Sequence, residues 1–291
     1  MVNVLTVDVE EYFHPTEVQH RIPPKLWPEL PSRVVPETEA VLRILNRRRV
    51  KATFFVLGWV AEHHPGLVRQ IAAEGHEIGC HSYAHRLVYD IGPAEFRRDT
   101  LRAVSAIGDA CGIRPRIYRA PSYSITARSL WALEILVECG FTHDSSIYPI
   151  AHDRYGIPGF SRQTCIVPTV SGPIYEIPIA AVTLSWKRVA PVGGGAYLRL
   201  LPYRYTAAGL RRLNEADGIP ACVYFHPWEL DSTLPRLADG IIARWRTYIG
   251  LNRMRAKLDR LLSEFEFSAA GSVYPLHAEV LGPQSKVEWG V

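Results

Sequence analysis

The chain contains little sulfur and no long hydrophobic run. Its 291 residues include two methionines and an odd number of cysteines, five, with no Cys-x-x-Cys pair. A disulfide framework or a cysteine-ligated zinc site is therefore not expected, and the set suits a reducing compartment. No stretch approaches the roughly 20 apolar residues of a membrane-spanning helix, and the N-terminus lacks the positive region of a signal peptide. We therefore expect a cytoplasmic chain without a transmembrane segment, with peripheral contact to a membrane left open.

The chain also has only a small excess of positive over negative charge. The 33 basic and 29 acidic residues give a formal net charge of +4, and the basic residues are dispersed except for a run of three arginines at residues 47–49. That run ends a predicted helix, where positive side chains complement the helix dipole. The sequence therefore predicts no nucleic-acid partner. A hydrophobic content of 47% with 21% charged residues excludes bulk disorder and suits one large α/β domain.

Short apolar runs alternate with helical segments, which is typical of a parallel α/β architecture. The predicted strands lie at residues 2–7, 52–57, 77–80, 116–119, 141–144, 175–179 and 221–225. The predicted helices lie at residues 36–48, 65–73, 93–110, 129–139, 207–216 and 252–264. Chemically interesting clusters follow the predicted strands, where barrel enzymes place their active sites. Two loops, 152–173 and a three-glycine segment at 193–195 that should be flexible, either shape a substrate groove or merely connect elements.

The most informative segment is the sequence GHEIGCHSYAH at residues 75–85. It places His81 and His85 four residues apart, after a short apolar run. A second apolar run near the N-terminus ends in two carboxylates, Asp8 and Glu10. Because strand side chains alternate, these two carboxylates point to the same face. Two imidazoles and one carboxylate, with an open coordination position, form a catalytic zinc set, so the sequence predicts a metal site.

Five segments resemble, in the right order, the motifs of the polysaccharide deacetylases, carbohydrate esterase family 4, which share the nodulation-factor deacetylase homology domain. They are TVDVE at 6–10, TFFV at 53–56, GHEIGCHSYAH at 75–85, RAPSY at 119–123 and YFHP at 224–227. Two more resemble the subgroup found with exosortase-linked exopolysaccharide loci, GGGAYLRLLPY at 193–203 and HPWELD at 226–231. The resemblance implies a distorted (β/α)7 barrel, formed by a single domain over residues 1–291 with a subgroup-specific extension from about residue 185.

The resemblance also implies the roles of the acidic cluster. Asp8 holds the position of the catalytic base, which makes Glu10 the metal ligand beside His81 and His85. The commoner family pattern has two adjacent aspartates, whereas here a valine separates Asp8 from Glu10. The roles of base and ligand therefore stay exchangeable between these two residues. Glu11, which follows them, is interpreted as a solvated charge.

Further roles follow for the later motifs. Arg119 is implied to pair with the catalytic aspartate and to keep it ionised. His226 matches the histidine that protonates the leaving amine, and its ordinary pKa suits general acid catalysis. The residues expected to orient or tune His226 are acidic, namely Asp144, or Glu229 and Asp231. Tyr123 is expected to line the site or to lie near a backbone oxyanion donor, and Trp228 to stack on a sugar ring or to pack in the core.

The resemblance implies a metal-dependent hydrolase that removes N-acetyl groups from amino sugars of a poly- or oligosaccharide in exopolysaccharide biosynthesis. Zn2+ is the expected metal, and Co2+, Ni2+, Mn2+ or Fe2+ also suit two imidazoles, a carboxylate and water. Two alternatives stay open: a deacylase or deformylase of another amide, such as a lipid-linked sugar or a non-sugar compound, and a non-catalytic saccharide-binding protein. The sequence does not indicate the sugar, the acyl group or the oligomeric state.

Overall fold

A computed structural model describes residues 1–184 and 188–275 of the chain. Its strands are β1 (Asn3–Val9), β2 (Thr53–Val56), β3 (Glu77–Cys80), β4 (Ile117–Tyr118), β5 (His143–Asp144), β6 (Cys165–Thr169), β7 (Gly172–Glu176), β8 (Ala181–Thr183), β9 (Val189–Pro191), β10 (Cys222–Phe225) and β11 (Phe267–Ser268). Its α-helices are α1 (Thr16–Gln19), α2 (Val34–Arg48), α3 (Gly58–His63), α4 (Pro65–Ala73), α5 (Val88–Cys111), α6 (Trp131–Glu138), α7 (Ala196–Leu200), α8 (Tyr203–Arg211), α9 (Ile241–Tyr248), α10 (Leu251–Glu264) and α11 (Ala270–Val273).

Nine strands form the main sheet of the described residues: seven parallel strands in the order β10-β1-β2-β3-β4-β5-β7, with β6 antiparallel to β7 and β11 parallel to β1. β8 and β9 form a separate two-stranded sheet. The segment after β7 then crosses back towards β10. The backbone N–H of Ile177 donates to Asp144 O over 2.8 Å, and that of Ala180 donates to Cys222 O over 3.0 Å. The sheet therefore curves round into a barrel, and the predicted distorted (β/α)7 fold is confirmed. None of the described helices is long and apolar enough to cross a membrane.

Strand alternation produces two apolar cores. In β1, Leu5 and Val7 pack outwards against the helices, in the larger cluster of buried residues. Val4 points inwards and joins a smaller cluster in the barrel interior that includes Phe55 and Tyr224. Strands covered on both faces need apolar residues at successive positions, which explains the short apolar runs in the sequence. The apolar stripe on α10 is buried in the core and includes Met254, Leu258, Leu261 and Leu262.

The prediction of a loop at residues 152–173 is wrong for the second half of that segment, which contains β6. This strand pairs antiparallel with β7 as a hairpin. The turn is held by Thr169 Oγ1, which donates to Gly172 O over 2.5 Å, and by the N–H of Val170, which donates to Glu134 Oε2 over 2.6 Å. The glycines and prolines of the segment outweighed its β-branched residues in the prediction, although hairpins tolerate such residues at their ends.

The flexibility predicted for the three-glycine segment is also wrong. The N–H of Tyr224 in β10 donates to Gly193 O over 2.7 Å, and the N–H of Gly195 donates to Tyr224 O over 2.8 Å. Gly194 has a φ of 116°, and a Cβ atom there would lie 1.9 Å from Tyr224 O. The absence of side chains permits this close approach, so the segment is fixed against the strand that leads into His226. The C-terminal extension from about residue 185 stays a prediction, and its end, residues 276–291, lies outside the described residues.

A buried carboxyl group in α2 gives the fold a testable pH dependence. Burial, with Glu11 and Asp231 nearby, raises the pKa of Glu37 to about 9, although Arg33 acts in the opposite direction. The folded state therefore holds a proton that the unfolded chain releases near pH 4.5. This contribution to stability is fully present below pH 4.5 and is lost as the pH rises towards 9, by at most about 1.4 kcal/mol per pH unit.

Glu37→Gln is expected to remove this pH dependence, because the amide does not titrate. The melting temperature of the variant, relative to that of the unchanged protein, should therefore rise between pH 5.5 and pH 8.5. Glu39→Gln is the matched control, since Glu39 lies on the same helix with a side chain that is 40% exposed. Parallel melting curves for Glu37→Gln and the unchanged protein across this range would contradict the raised pKa.

Candidate active site

β1 delivers two carboxylates to the C-terminal end of the barrel. Asp8 and Glu10 point inwards while Val7 and Val9 pack against the helices, as alternation predicts. Both carboxylates are buried. The interpretation of Glu11 as a solvated charge is wrong, because its side chain is fully buried. The Glu11 carboxylate instead anchors the segment before α2 by accepting hydrogen bonds from Ser32 Oγ and the N–H of Arg33.

The loop after β3 turns two imidazoles into the same space. Ser82 and His85 have φ values of 64° and 52°, a left-handed conformation that costs free energy in residues other than glycine and clusters at functional sites. The N–H of His85 donates to Ser82 Oγ over 3.2 Å. His81 Nδ1–H donates to Arg119 O over 2.9 Å, which leaves the lone pair on Nε2 for a metal. Burial lowers the pKa of His81 to about 4, so the ring is neutral at pH 7.

Glu10, His81 and His85 form a buried group whose potential ligand atoms all lie within 4.8 Å of one another. Glu10 Oε2 lies 2.9 Å from His85 Nε2, yet it makes no hydrogen bond of normal geometry within the described part of the chain. Burial alone would raise the pKa of Glu10, but the nearby imidazoles of His85, His226 and His81 outweigh it and hold that pKa below its usual range. An ionised carboxylate with a free oxygen beside two imidazoles fits a divalent cation.

Arg119 pairs with Asp8 inside the barrel. Its Nη1 donates to Asp8 Oδ1 over 2.9 Å and to Thr6 Oγ1 over 2.6 Å. Its other nitrogens donate to the carbonyl and hydroxyl oxygens of Ser145. The guanidinium is fully buried, so it fixes the orientation of the Asp8 carboxylate.

His226 faces the two carboxylates from the end of β10. Its Nε2 lies 3.9 Å from Asp8 Oδ2 and 3.7 Å from Glu10 Oε1. On its other side, Nδ1–H donates to Glu229 Oε2 over 3.1 Å. Glu229 is itself held by Arg199, whose Nε donates to Glu229 Oε1 over 3.0 Å. Burial alone would lower the pKa of His226, but the surrounding carboxylates outweigh it and raise that pKa to about 9.

Trp228 lines the cavity and contacts Glu10 and His226, with a side chain that is almost fully buried. Its indole Nε1–H donates to Glu10 Oε1 over 3.0 Å. Its ring also stacks on His226 with ring centroids 5.0 Å apart. Glu10 is a predicted metal ligand and His226 the predicted general acid. The two contacts of Trp228 therefore orient both of these side chains.

Of the remaining predicted site residues, some lie in the site and others do not. Tyr123 lines the cavity, but its backbone N–H donates to Ala120 O over 3.1 Å and is not free for an oxyanion. Asp144 is not brought into the site. Ser145 points into the barrel towards Arg119, so the neighbouring Asp144 faces the other way and accepts a 2.6 Å hydrogen bond from Ser146 Oγ. Of the predicted orienting acids, Glu229 contacts His226, and Asp231 instead pairs with Arg33 at 2.5 Å.

These residues open into a cavity of about 370 Å3, which lies in the range of small-molecule pockets, about 300–1,000 Å3. Several of its wall residues come from the C-terminal half and were not predicted: Tyr155, Tyr197, Arg199, Trp245 and Arg246. Tyr155 Oη and Tyr197 Oη lie 3.2 Å apart. The only signal for them in the sequence was the segment at 193–203, which contains Tyr197 and Arg199.

Comparisons with known proteins match the chain in two parts. The family model for polysaccharide deacetylase matches residues 31–142, and a model for a domain of unknown function, DUF3473, matches residues 145–275. A peptidoglycan-N-acetylglucosamine deacetylase of Bacillus cereus is 37% identical over 98 residues, which are 33% of this chain and 36% of that protein. A chitooligosaccharide deacetylase of a Bradyrhizobium species is 40% identical over 100 residues, 34% of this chain and 43% of that protein. The chain thus spans less than half the length of these relatives.

Among solved structures, a Mycobacterium smegmatis protein provisionally named a polysaccharide deacetylase superposes with a TM-score of 0.63 and 19% identity. The superposition covers 99% of this chain and 94% of that one, and it supports the fold alone. The sequence match, the barrel and the order of the motifs agree. The chain carries a polysaccharide deacetylase domain, of carbohydrate esterase family 4, over residues 31–142 and a DUF3473 segment over residues 145–275.

Proposed function

We propose that this protein is a metal-dependent amidohydrolase that removes N-acetyl groups from amino sugars of a poly- or oligosaccharide. One observation carries the proposal: the Glu10, His81 and His85 group, Asp8 and His226 converge within one cavity. Such an arrangement combines a metal site with a candidate base and a candidate acid. The substrate class is supported by the names of the two relatives, which act on N-acetylglucosamine of peptidoglycan and on chitooligosaccharide.

The proposed cofactor is a divalent cation held by Glu10, His81 and His85. Such a cation polarises a carbonyl and makes a water more acidic. Zn2+ is proposed because two imidazoles, one carboxylate and an open position are a catalytic zinc set. Co2+, Ni2+, Mn2+ and Fe2+ suit the same ligands.

The proposed chemistry assigns one proton to each side of the cavity. Hydrolysis adds water across the C–N bond, so one proton leaves the water and one reaches the amine nitrogen. Asp8, held by Arg119, accepts a proton from the water while the oxygen of the water bonds to the acyl carbon. His226 donates its Nε2 proton to the leaving nitrogen as the C–N bond breaks. Glu229 holds Nδ1 of the same ring and so keeps Nε2 directed at the cavity.

The biological setting is proposed from the sequence. A role in exopolysaccharide production is supported by the resemblance of residues 193–203 and 226–231 to the exosortase-linked subgroup, and a cytoplasmic location by the cysteine usage. Two other functions compete with the proposal: hydrolysis of another amide, and saccharide binding without catalysis.

Metal removal tests the proposal. Protein stripped with a chelator should release no acetate from N-acetylated chitooligosaccharides, and added Zn2+ should restore release. The double variant His81→Ala/His85→Ala should lose bound metal, measured per folded chain, because two of three ligands are gone. His76→Ala is the matched control, since His76 is buried but bonds the N–H of Ala52 outside the cavity.

Each other outcome selects a competing function. Bound metal without release from any N-acetylated saccharide would favour hydrolysis of another amide. Absence of both metal and release would favour a saccharide-binding protein. Unchanged metal content in the double variant would refute the ligand assignment itself.

A further inference from the structure

Helix α9 carries an exposed apolar face at the edge of the cavity. Ile241 is 88% exposed, Ile242 is 68% exposed and Trp245 is 52% exposed. Ile249, directly after the helix, is 49% exposed. Positions 241 and 245 are one helical turn apart and therefore share a face. Soluble monomers rarely expose large apolar side chains in such a contiguous group, so the face requires a partner.

The same helix forms part of the cavity wall. Trp245, Arg246 and Thr247 line the cavity that holds the proposed catalytic residues. A second, neighbouring depression is lined by Ile241, Ile242 and Arg246. Arg246 thus connects the apolar face with the cavity, and whatever covers α9 must lie beside the cavity.

The helix and the sequence that flanks it carry an excess of positive charge. Residues 236–257 contain five arginines and one lysine but only one acidic residue, Asp239. The two carboxylates at the second depression, Asp239 and Glu17, are each paired with an arginine. Arg244 is exposed and makes no ion pair within residues 1–184 and 188–275. The isoleucines and the tryptophan therefore share α9 with two arginines, Arg244 and Arg246, and with no acidic residue.

We propose that α9 anchors this protein to the surface of a bilayer rich in anionic lipids. Tryptophan favours the level of the lipid headgroups, isoleucine side chains enter the acyl boundary, and arginines pair with lipid phosphates. A second copy of the chain fits less well, because four side chains cannot supply the roughly 800 Å2 per partner of a standard protein interface. The anchor places the edge of the cavity at the headgroup layer, where a membrane-borne saccharide is presented.

Vesicle flotation tests the anchor without any measurement of turnover. The protein should bind vesicles that contain phosphatidylglycerol, and this binding should weaken by about tenfold or more with pure phosphatidylcholine or at high salt. Ile241→Ser/Ile242→Ser should weaken binding to the phosphatidylglycerol vesicles by about tenfold or more. Val170→Ser is the matched control, since Val170 is 100% exposed in the turn between β6 and β7 and should leave binding unchanged.

The isoleucine variant should keep its melting temperature and its hydrolysis of a soluble saccharide, because neither isoleucine lines the catalytic cavity. Absence of binding by the unchanged protein overturns the anchor, as does equal binding by the isoleucine variant. If the variant changes the oligomeric state in light scattering while no vesicle binding occurs, a second copy covers the face and the anchor is equally overturned. Because flotation needs no substrate, the test of the anchor does not depend on whether the proposed catalysis is correct.

Discussion

Asp8→Asn is expected to lower turnover by about 10²–10⁴-fold, the range of general acid–base catalysis, while bound metal is retained. The amide keeps the shape of the carboxylate but cannot accept a proton from water. Asparagine also removes the negative charge that pairs with the Arg119 guanidinium over 2.9 Å. An unpaired buried charge costs about 3–5 kcal/mol, so turnover must be compared at a temperature where thermal unfolding shows the variant to be folded.

Asp144→Asn is the matched control for this prediction. It makes the same chemical change in a fully buried aspartate that bonds Ser146 outside the cavity. Turnover should therefore stay within a few-fold of normal. Full activity in Asp8→Asn, or a similar loss in both variants, would contradict Asp8 as the base.

Glu10→Gln distinguishes the ligand from the base. Glutamine replaces an anionic ligand with a weak neutral one, so metal affinity should fall first, and excess metal should partly restore turnover. No excess of metal should restore Asp8→Asn. The reverse pattern of rescue would exchange the two roles, which the spacing of the two carboxylates in the sequence had left open.

His226→Ala is expected to lower turnover on an amide substrate by about 10²-fold or more, because the leaving amine loses its proton donor. Metal content should not change, since His226 is not in the ligand group. His143→Ala is the control: His143 is buried, but its Nε2 faces Tyr274 O at 3.0 Å. Near-normal turnover in His226→Ala would remove this residue from the mechanism.

The loss of turnover expected from Glu229→Gln is smaller than that expected from His226→Ala. The Glu229 carboxylate holds Nδ1–H of His226 and the backbone N–H of the same residue, the latter at 3.0 Å. Glu229→Gln keeps an acceptor but removes the charge that favours the protonated ring.

The sequence was sufficient to predict the position of a site residue where local periodicity determines the direction of its side chain. Alternation in one strand placed Asp8 and Glu10 together, and the apolar run before His81 placed the imidazole pair at a strand end. It was insufficient where a side chain depends on a distant one. Arg199 reaches Glu229 from a separate helix, and no local pattern encodes that contact.

Two errors in prediction have different physical origins. Asp144 was placed in the site because it ends a strand, but alternation beside Ser145 turns it away. The three glycines were taken as flexible from composition, whereas their contact with Tyr224 follows from tertiary packing alone. Glycine frees the chain or permits close approach, and only the fold distinguishes the two.

The central position of β1 makes the order of synthesis important. β1 lies between β2 and β10, and Thr6 Oγ1 donates to the carbonyl oxygen of Val223, 217 residues later in the chain. On a ribosome that adds about 5–20 residues per second, one edge of β1 stays unpaired for roughly 10 to 40 seconds. An open apolar strand edge is a template for aggregation, and such distant pairings form slowly. We therefore expect the nascent N-terminal segment to be prone to aggregation until the DUF3473 segment, which contains β10, emerges and completes the barrel.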